Sequence, residues 1–229
     1  MKLRLFFAII LSICLSQKKG IGQNLIFNLS FDNQSFRLGE NYFSKTWNDS
    51  FSISTIRFYI SNISLIKSNQ IIYKFPKKEY LVDFENQQNI SIPFTNTNSY
   101  DAIRFSIGID SVTNVNSEMS DDLDPIYGMY WTWQSGFINW KIEGNCPSIS
   151  TRNHLFQYHI GGYQFPYNTL QTIQLPLTTD TKDVNLTLNL DQFLITNELK
   201  NTFEIMSPGN KAVELSQSFK KIFDLQNEK

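Results

Sequence analysis

Three tryptophans stand close together in a stretch of the chain that has the composition of a β-strand. The segment GMYWTWQSGFINWKIEG, residues 128–144, contains Trp131, Trp133 and Trp140. Alternate residues of an extended strand share a face, which would place Met129 and the first two indoles side by side. Such an aromatic slab could stack on sugar rings, form the wall of a metal or redox site, or fill a core.

The other face of the same strand would carry Tyr130 and Gln134. Together with Trp131 and Trp133, these two residues form the candidate set for contact with a ligand or cofactor. The alternative is that the strand belongs to the core of a sandwich, because large aromatic side chains are buried in most proteins. The spacing alone leaves both interpretations open.

The chain has two histidines, His154 and His159, in the segment HLFQYHIGGY, residues 154–163. Their spacing puts them on opposite faces of a strand, so we do not expect them to meet at one metal ion. His159 is the better candidate for a metal ligand. Gly161 and Gly162 follow it, and paired glycines indicate a turn or a close backbone approach at the end of a strand.

Sulfur atoms elsewhere in the chain could complete a metal site at His159. The possible donors are Met119, Met129, Met206 and Cys146. Sulfur and imidazole ligands suit Cu(I) rather than Mg²⁺ or Ca²⁺. Among them, Met129 and Met119 are the donors that we predict to join His159.

The sequence motifs of several enzyme classes are absent. There is no nucleophile elbow, HExxH, glycine-rich phosphate loop or CxxCH haem-attachment motif. The acidic loop SDDLDP, residues 120–125, lacks the ligand spacing and the glycine of a calcium-binding loop, so we interpret it as a solvated turn. We therefore expect a binding protein rather than an enzyme.

Residues 1–22 have the order of an export signal: basic residues, then an apolar run, then small residues. The run is too short to span a bilayer, and no later segment approaches the roughly 20 apolar residues that a spanning helix needs. We expect cleavage near Gln23 and a periplasmic or cell-surface protein. A lipoprotein acylated at Cys14 is the less favoured alternative, because Ile13 is not the small residue which that processing requires.

Removal of this segment would leave 16 basic against 21 acidic residues, a net charge of −5. A negative balance argues against nucleic acid as a partner. Cys146 would be the one cysteine left, so no internal disulfide could form and the fold must depend on its own core.

Apolar and polar residues alternate in several segments of the chain, the pattern of strands with one buried face. The segments are 25–31, 56–60, 80–84, 103–109 and 184–190. Strands at this spacing, separated by polar turns, predict an all-β fold in which antiparallel sheets form a β-sandwich. We expect a single domain over residues 23–200.

The C-terminal segment, residues 201–229, breaks this pattern and predicts an amphipathic helix. Ser207 is the expected N-cap and Pro208 the first helical residue. Apolar residues then recur at helical spacing, from Ala212 to Phe223. We expect this helix to pack on the β domain.

Five segments of the chain occur in an order that resembles a known family. They are RFYISNISLI (57–66), YLVDF (80–84), IRFSIGID (103–110), LDPIYGMYWTWQSGFINWKIEG (123–144) and FQYHIGGY (156–163). Together they resemble the MbnP-like copper-binding proteins, which are exported and associated with methanobactin and copper handling. The resemblance runs from about Leu25 to Leu194, and the C-terminal Ile-Met-Ser-Pro segment and helix are similar to those of Bacteroidetes-type members.

The resemblance implies a β-sandwich, an extracytoplasmic location and copper binding. Relatives often accompany a dihaem cytochrome c peroxidase-like protein, which in some cases oxidises a tryptophan of its partner to kynurenine. Trp131 and Trp133 are the residues that match this motif. Copper-binding relatives also tend to carry further histidines, including one near the first strand, where this chain has LSFDNQSF, residues 29–36.

We therefore predict an exported copper-binding protein with His159 as the leading ligand, Met129 and Met119 as soft donors, and Trp131 and Trp133 as an adjacent aromatic wall. One alternative is a carbohydrate-binding module that uses the Trp/Tyr strand. Another is a scaffold that has lost its metal and serves as an interaction protein, which the shortage of histidines would explain.

Overall fold

A computed structural model of the chain describes residues 21–225, except residues 86, 88, 97–98, 117, 178–182 and 197–201. Residues 1–20, which hold most of the predicted export signal and Cys14, lie outside the described residues. Within them the strands are β1 Ile21–Phe31, β2 Gln34–Ser35, β3 Tyr42–Ser44, β4 Asp49–Lys67, β5 Gln70–Lys74, β6 Glu79–Asp83, β7 Asn89–Asn96, β8 Ala102–Ile107, β9 Tyr130–Thr132, β10 Gly136–Asn145, β11 Leu155–Gly161, β12 Gln171–Pro176, β13 Val184–Asn189, β14 Glu204–Ile205 and β15 Phe223–Leu225. The α-helices are α1 Ser111–Asn116, α2 Leu190–Thr196 and α3 Asn210–Ile222.

The smaller sheet is built around β1, which begins inside the predicted leader. β1 pairs in parallel with β13 and antiparallel with β7, while β15 extends the sheet beyond β13 and β2 folds back on the end of β1. Ile21 and Gly22 already pair with β7. The N-terminal and C-terminal parts of the chain therefore meet in one sheet.

The larger sheet runs in the order β12, β8, β4, β10, β11 and β14, and it curls into a half-barrel. Its central strand β4 has 19 residues and also pairs with β3, β5 and β6, while β9 pairs with β10. Register shifts between Ser61 and Ser64 of β4 and between Ile138 and Trp140 of β10 interrupt the pairing. Such bulges bend a strand and increase its twist, which accounts for the curl.

Aromatic rings from both sheets and from α3 meet in the main core. Phe27 of the smaller sheet contacts Phe58 of the larger one edge to face, with ring centroids 5.9 Å apart. Trp140 stacks on Phe58 at 4.7 Å and on Phe219 of α3 at 4.8 Å. Trp140, one of the clustered tryptophans, is thus a core residue, and α3 closes the core.

A second apolar cluster lies on the outer face of the larger sheet. Adjacent residues of a strand point to opposite faces, so Tyr59 faces away from Phe58, and it is also fully buried. The second cluster consists of Tyr59, Ile109, Met129, Phe137 and Ile138, with Leu81, Met119, Leu123, Tyr130 and Trp131 packed against it. The chain from Met119 to Trp131, which we call the covering segment, therefore covers this face.

The prediction of a mostly β fold with two sheets and a C-terminal helix is confirmed. The sheets are not purely antiparallel, because β1 pairs with β13 and β11 with β14 in parallel. Parallel pairing requires strands joined by long connections, which alternation within each strand does not reveal. No helix of the described residues is long and apolar enough to cross a membrane.

The predicted start of the C-terminal helix is wrong. α3 begins at Asn210 after Gly209, which has an extended φ of 172°, and no side chain caps it. Pro208 instead lies in the preceding turn, beside the backbone of Gly162. The C-terminal segment also contributes β14 to the larger sheet and β15 to the smaller one.

We predict that Phe219→Ala destabilises the protein by about 3 to 5 kcal/mol, because the change removes a fully buried ring and leaves a cavity beside Trp140. Urea unfolding measures the effect. Phe43→Ala is the matched control, since that ring is 57% exposed and its loss should change the free energy of unfolding little. Equal losses for the two variants would show that α3 does not close the core.

Candidate functional site

Arg57 of β4 binds the backbone two residues before Met129 and holds it on the outer face of the larger sheet. Its Nη1 donates to the backbone oxygen of Tyr127 at 2.9 Å, and its Nε lies 2.8 Å from Oδ2 of Asp83. Glu85 forms a further ion pair with Nη2. These contacts fix the position at which Met129 enters the second apolar cluster.

The acidic loop contributes a second attachment through Asp122. The Tyr59 hydroxyl donates to the backbone oxygen of Asp122 at 3.0 Å. Oδ2 of Asp122 accepts from the backbone N–H of Leu81 at 3.0 Å and pairs with Lys77 at 2.8 Å. The loop that we interpreted as a solvated turn is therefore partly buried and holds the covering segment on the sheet.

His159 lies in a row of polar side chains across the outer face. Strand register places Arg57, Lys141 and His159 side by side on β4, β10 and β11, and Glu143 faces Gln157 in the next row. The His159 ring is only 6% exposed. Its Nε2 lies 2.6 Å from Oε1 of Glu143.

Glu143 is a strong partner for this ring. The hydrogen bond with His159 is the main cause that lowers the pKa of Glu143 to about 2, against the opposing effect of burial. The ammonium of Lys141, 3.7 Å from Oε1, and the amide of Gln157, 3.4 Å away, act in the same direction. Glu143 is thus a carboxylate at neutral pH, and it fixes the orientation of the imidazole.

Trp131 rests directly on the backbone of β11. Gly161 shares the outer face with His159, two residues away. A Cβ at Gly161 would lie 2.8 Å from the six-membered ring of Trp131 and 2.5 Å from the backbone oxygen of Phe137. The predicted close approach at the glycine pair is confirmed, and it is the indole that makes the approach.

Trp131 and Trp133 do not form a shared slab. β9 ends at Thr132, and residues 133–135 form the turn of the β9–β10 hairpin, so the alternation of a strand stops before the second indole. Trp133 is 75% exposed and Gln134 is exposed as well. Tyr130 is half-buried against Phe137, with ring centroids 5.0 Å apart.

The two methionines proposed as soft donors lie in the covering segment. Met129 is fully buried in the second apolar cluster, and Met119 packs against the same cluster together with Trp131. Both are therefore on the face of the sheet that carries His159. Met206, which follows β14, is 41% exposed.

His154 and Cys146 are placed at the other end of the β10–β11 hairpin. Cys146 lies outside the His159 row. Its backbone N–H donates to the backbone oxygen of His154, and its Sγ lies 3.4 Å from Oδ2 of Asp49. The His154 ring is exposed, with Nδ1 2.8 Å from the backbone oxygen of Ile149. Lys141 and His159 pair five residues along the hairpin from Cys146 and His154, which is about 16 Å away at the rise of a β-strand.

In the part of the chain that the structure describes, no group of three or more His, Cys, Asp or Glu side chains could hold a metal ion. Sequence reasoning also missed Glu143 and its neighbours Lys141 and Gln157. The signal that could have found them is the alternation in Trp-Lys-Ile-Glu-Gly, residues 140–144, where two charged residues share one face of a strand that is otherwise buried. Pairing with His159 depends on register, which that pattern does not contain.

These features define a two-sheet β protein whose larger sheet carries a buried histidine paired with a half-buried carboxylate, two residues along the strand from a glycine that a tryptophan covers. The chain belongs to the MbnP family, because the family model described as MbnP matches residues 22–210. Among solved structures it is similar to MbnP from Methylosinus trichosporium, with 15% sequence identity, a TM-score of 0.58, and coverage of 77% of this chain and 78% of that chain. At this identity the likeness shows the fold alone. A search of curated proteins gave no match.

We predict that Gly161→Ala displaces Trp131 from β11, because the added methyl group has no room between the indole and the Phe137 carbonyl. The expected cost is about 1 to 3 kcal/mol of stability, typical of overpacking. In a Trp133→Phe background the other remaining indoles, Trp47 and Trp140, are buried, so an emission shift to longer wavelength and greater accessibility to acrylamide would report the displacement of Trp131. Unchanged emission together with unchanged stability would show that the indole does not rest on Gly161.

We predict that Glu143→Gln lowers the stability of the metal-free protein at pH 7 by about 1 to 2 kcal/mol, since it removes a charged partner of His159. The pKa of Glu143 is lowered in the folded state, so its contribution is present above about pH 4.5 and is lost as the pH falls towards 2. Urea unfolding at a series of pH values should show the two proteins converging over that range. The exposed Glu214→Gln is the control, and an equal pH profile for both variants would contradict the role of Glu143.

Proposed function

We propose that this chain is an exported copper-binding protein that holds Cu(I) at His159, with Met129 and Met119 as the sulfur donors and Trp131 as the adjacent aromatic wall. The observation that carries the proposal is the pair of buried His159 with half-buried Glu143, in a chain whose MbnP match covers residues 22–210. The proposed role is binding rather than catalysis.

The donor set suits a monovalent soft ion. Because Nε2 of His159 is engaged by Glu143, the ring nitrogen that remains for a metal is Nδ1. A carboxylate that accepts the other N–H of a metal-binding histidine fixes the tautomer and strengthens the ligand. The remaining donors on this face are thioethers, which prefer Cu(I).

The surrounding residues support such a site in two ways. Glu143 and Gln157 hold the polar side of His159 in place, so that binding would cost little reorganisation. Trp131 and the second apolar cluster restrict the access of water, which protects a reduced ion from oxidation. When bound, copper would supply redox chemistry that the side chains themselves lack.

Family membership also supports a redox partner and a place outside the cytoplasm. We propose that a dihaem cytochrome c peroxidase-like protein acts on this chain and that Trp131 or Trp133 is the indole open to oxidation. The Trp133 side chain is accessible to a partner protein, since it is 75% exposed. The signal-like residues 1–22 support export to the periplasm or the cell surface.

We predict that His159→Ala abolishes or weakens Cu(I) binding at least about tenfold, which is the loss of one good ligand interaction. Competition with a chromophoric Cu(I) chelator under anaerobic conditions measures the affinity. His154→Ala is the matched control, because that histidine is exposed at the other end of the hairpin. Met129→Leu keeps the apolar volume and tests the thioether separately.

Retention of copper by the His159→Ala variant, or loss of copper in the His154→Ala variant alone, would contradict the assignment of the ligand. If none of the proteins bound copper, the copper proposal itself would fail. Peptide mass spectrometry of protein from its native host would test the oxidation of Trp131 and Trp133 independently.

A second candidate function is carbohydrate binding, for which the exposed Trp133 is the specific observation. The Tyr163 hydroxyl donates to the backbone oxygen of Trp133 at 3.3 Å, and Phe165 in the same loop is 98% exposed. Exposed aromatic faces can stack on sugar rings. Glycan-array binding that is lost in Trp133→Ala and kept in His159→Ala would favour this function over copper handling.

A further inference from the structure

A cavity of about 460 Å³ opens beside the bulge of β4, apart from the His159 row and from the second apolar cluster. The pairing of β4 with β8 shifts between Ser61 and Ser64, and Asn62 adopts a left-handed φ of 53°. The backbone N–H of Asn62 turns to the carbonyl of Lys78 instead of to β8, at 2.9 Å. The bulge thus opens a concave space between β4, β8 and the chain that follows β5.

Strand register places two cations on either side of a hydroxyl in this cavity. Lys74 of β5 faces Ser64 of β4, and Ser64 faces Arg104 of β8, all of them lining the space. Neighbouring strands are about 4.8 Å apart, so the backbones of the two cationic residues lie about 10 Å apart, with Ser64 of β4 between them. A group with several oxygen atoms fits between them.

The charged side chains that line this cavity are all positive, and acidic partners neutralise only some of them. Lys77 pairs with Asp122 at 2.8 Å, and Lys78 pairs with Asp110 at 2.9 Å. Among the described residues, Lys74 and Arg104 have no such ion pair, and the described lining includes no carboxylate. In a chain of net charge −1, this is a local excess of positive charge that favours an anion.

The rest of the lining supplies hydroxyl groups and apolar surface. The hydroxyls of Ser106 and Thr172 are hydrogen-bonded to each other at 3.0 Å across β8 and β12, and Thr172 is the exposed one of the two. Ile71 and Pro76 contribute exposed apolar surface. The volume lies in the range of small-molecule sites, and the combination of apolar surface with a few converging polar groups is typical of them.

We propose that this cavity binds a small organic anion: a carboxylate or phosphate head held by Arg104 and Lys74, joined to a compact apolar or ring-shaped body. The planar guanidinium of Arg104 matches the two oxygens of such a head, and the ammonium of Lys74 supplies the second positive charge. The apolar body lies against Ile71 and Pro76, which are the exposed apolar residues of the lining. This site is independent of copper binding at His159.

Isothermal titration of the mature protein tests the proposal with four probes: benzoate, phenyl phosphate, inorganic phosphate and the neutral benzamide. Benzoate or phenyl phosphate should bind at one saturable site. Benzamide and inorganic phosphate should each bind at least about tenfold more weakly, because each lacks one half of the expected ligand. Raising NaCl from about 50 mM to about 500 mM should weaken the binding of the organic anion.

The variant Lys74→Gln/Arg104→Gln should bind the organic anion at least about tenfold more weakly than the wild type. Lys220→Gln/Lys221→Gln removes the same charge from exposed positions of α3 outside the cavity and should bind it as the wild type does. The absence of saturable binding, equal affinity for benzamide, or an equal loss in both double variants would overturn the proposal. The probe and salt comparisons on the wild type decide the matter if the first variant does not fold.

Discussion

The whole structure depends on one long strand, β4, whose two faces must both be covered. Phe58 and Tyr59 are adjacent in sequence and both fully buried, one in the main core and one in the second apolar cluster. Leaving either ring in water would lose the free energy of burying a large aromatic side chain. The smaller sheet and α3 cover the inner face, and the chain from Met119 to Trp131 covers the outer face. The covering segment, which carries the candidate thioether ligands Met119 and Met129, is therefore also a structural layer of the fold.

The bulge of β10 creates a second constraint, because it interrupts strand pairing and leaves nearby backbone groups to be satisfied in another way. Two buried amides supply hydrogen bonds there. Asn139 accepts from the backbone N–H of Ile109 at 2.9 Å and donates to Thr169 at 2.9 Å, while Asn114 accepts from the backbone N–H of Phe137 at 3.0 Å. Side chains thus satisfy backbone groups that the interrupted sheet leaves without partners. The result is a fixed backbone at the point where Trp131 rests on β11.

Local patterns predicted much of the fold, since the alternating segments at 25–31, 103–109 and 184–190 became β1, β8 and β13 with small shifts at their ends. The site was less predictable, because its contacts depend on register between distant strands. Nothing near Glu143 indicates that it will meet His159. Likewise, the alternation that paired Trp131 with Trp133 holds only within a strand, and β9 ends between them. Aromatic residue type does not distinguish a core ring such as Trp140 from an exposed one.

The electrostatics of the His159 row favour a monovalent ion over a divalent one. Among the described residues, the carboxylate paired with the ring is that of Glu143, which already interacts with Lys141, and Arg57 in the same row is matched by Asp83 and Glu85. A divalent ion would add two charges in a half-buried position with no further carboxylate in the row to balance them, and the cost of burying uncompensated charge is high. Neutral imidazole and thioether ligands add no charge of their own, so a Cu(I) site would carry a single positive charge next to the Glu143 carboxylate. The imidazole and thioether groups of this face would therefore suit the proposed Cu(I) better than a divalent ion.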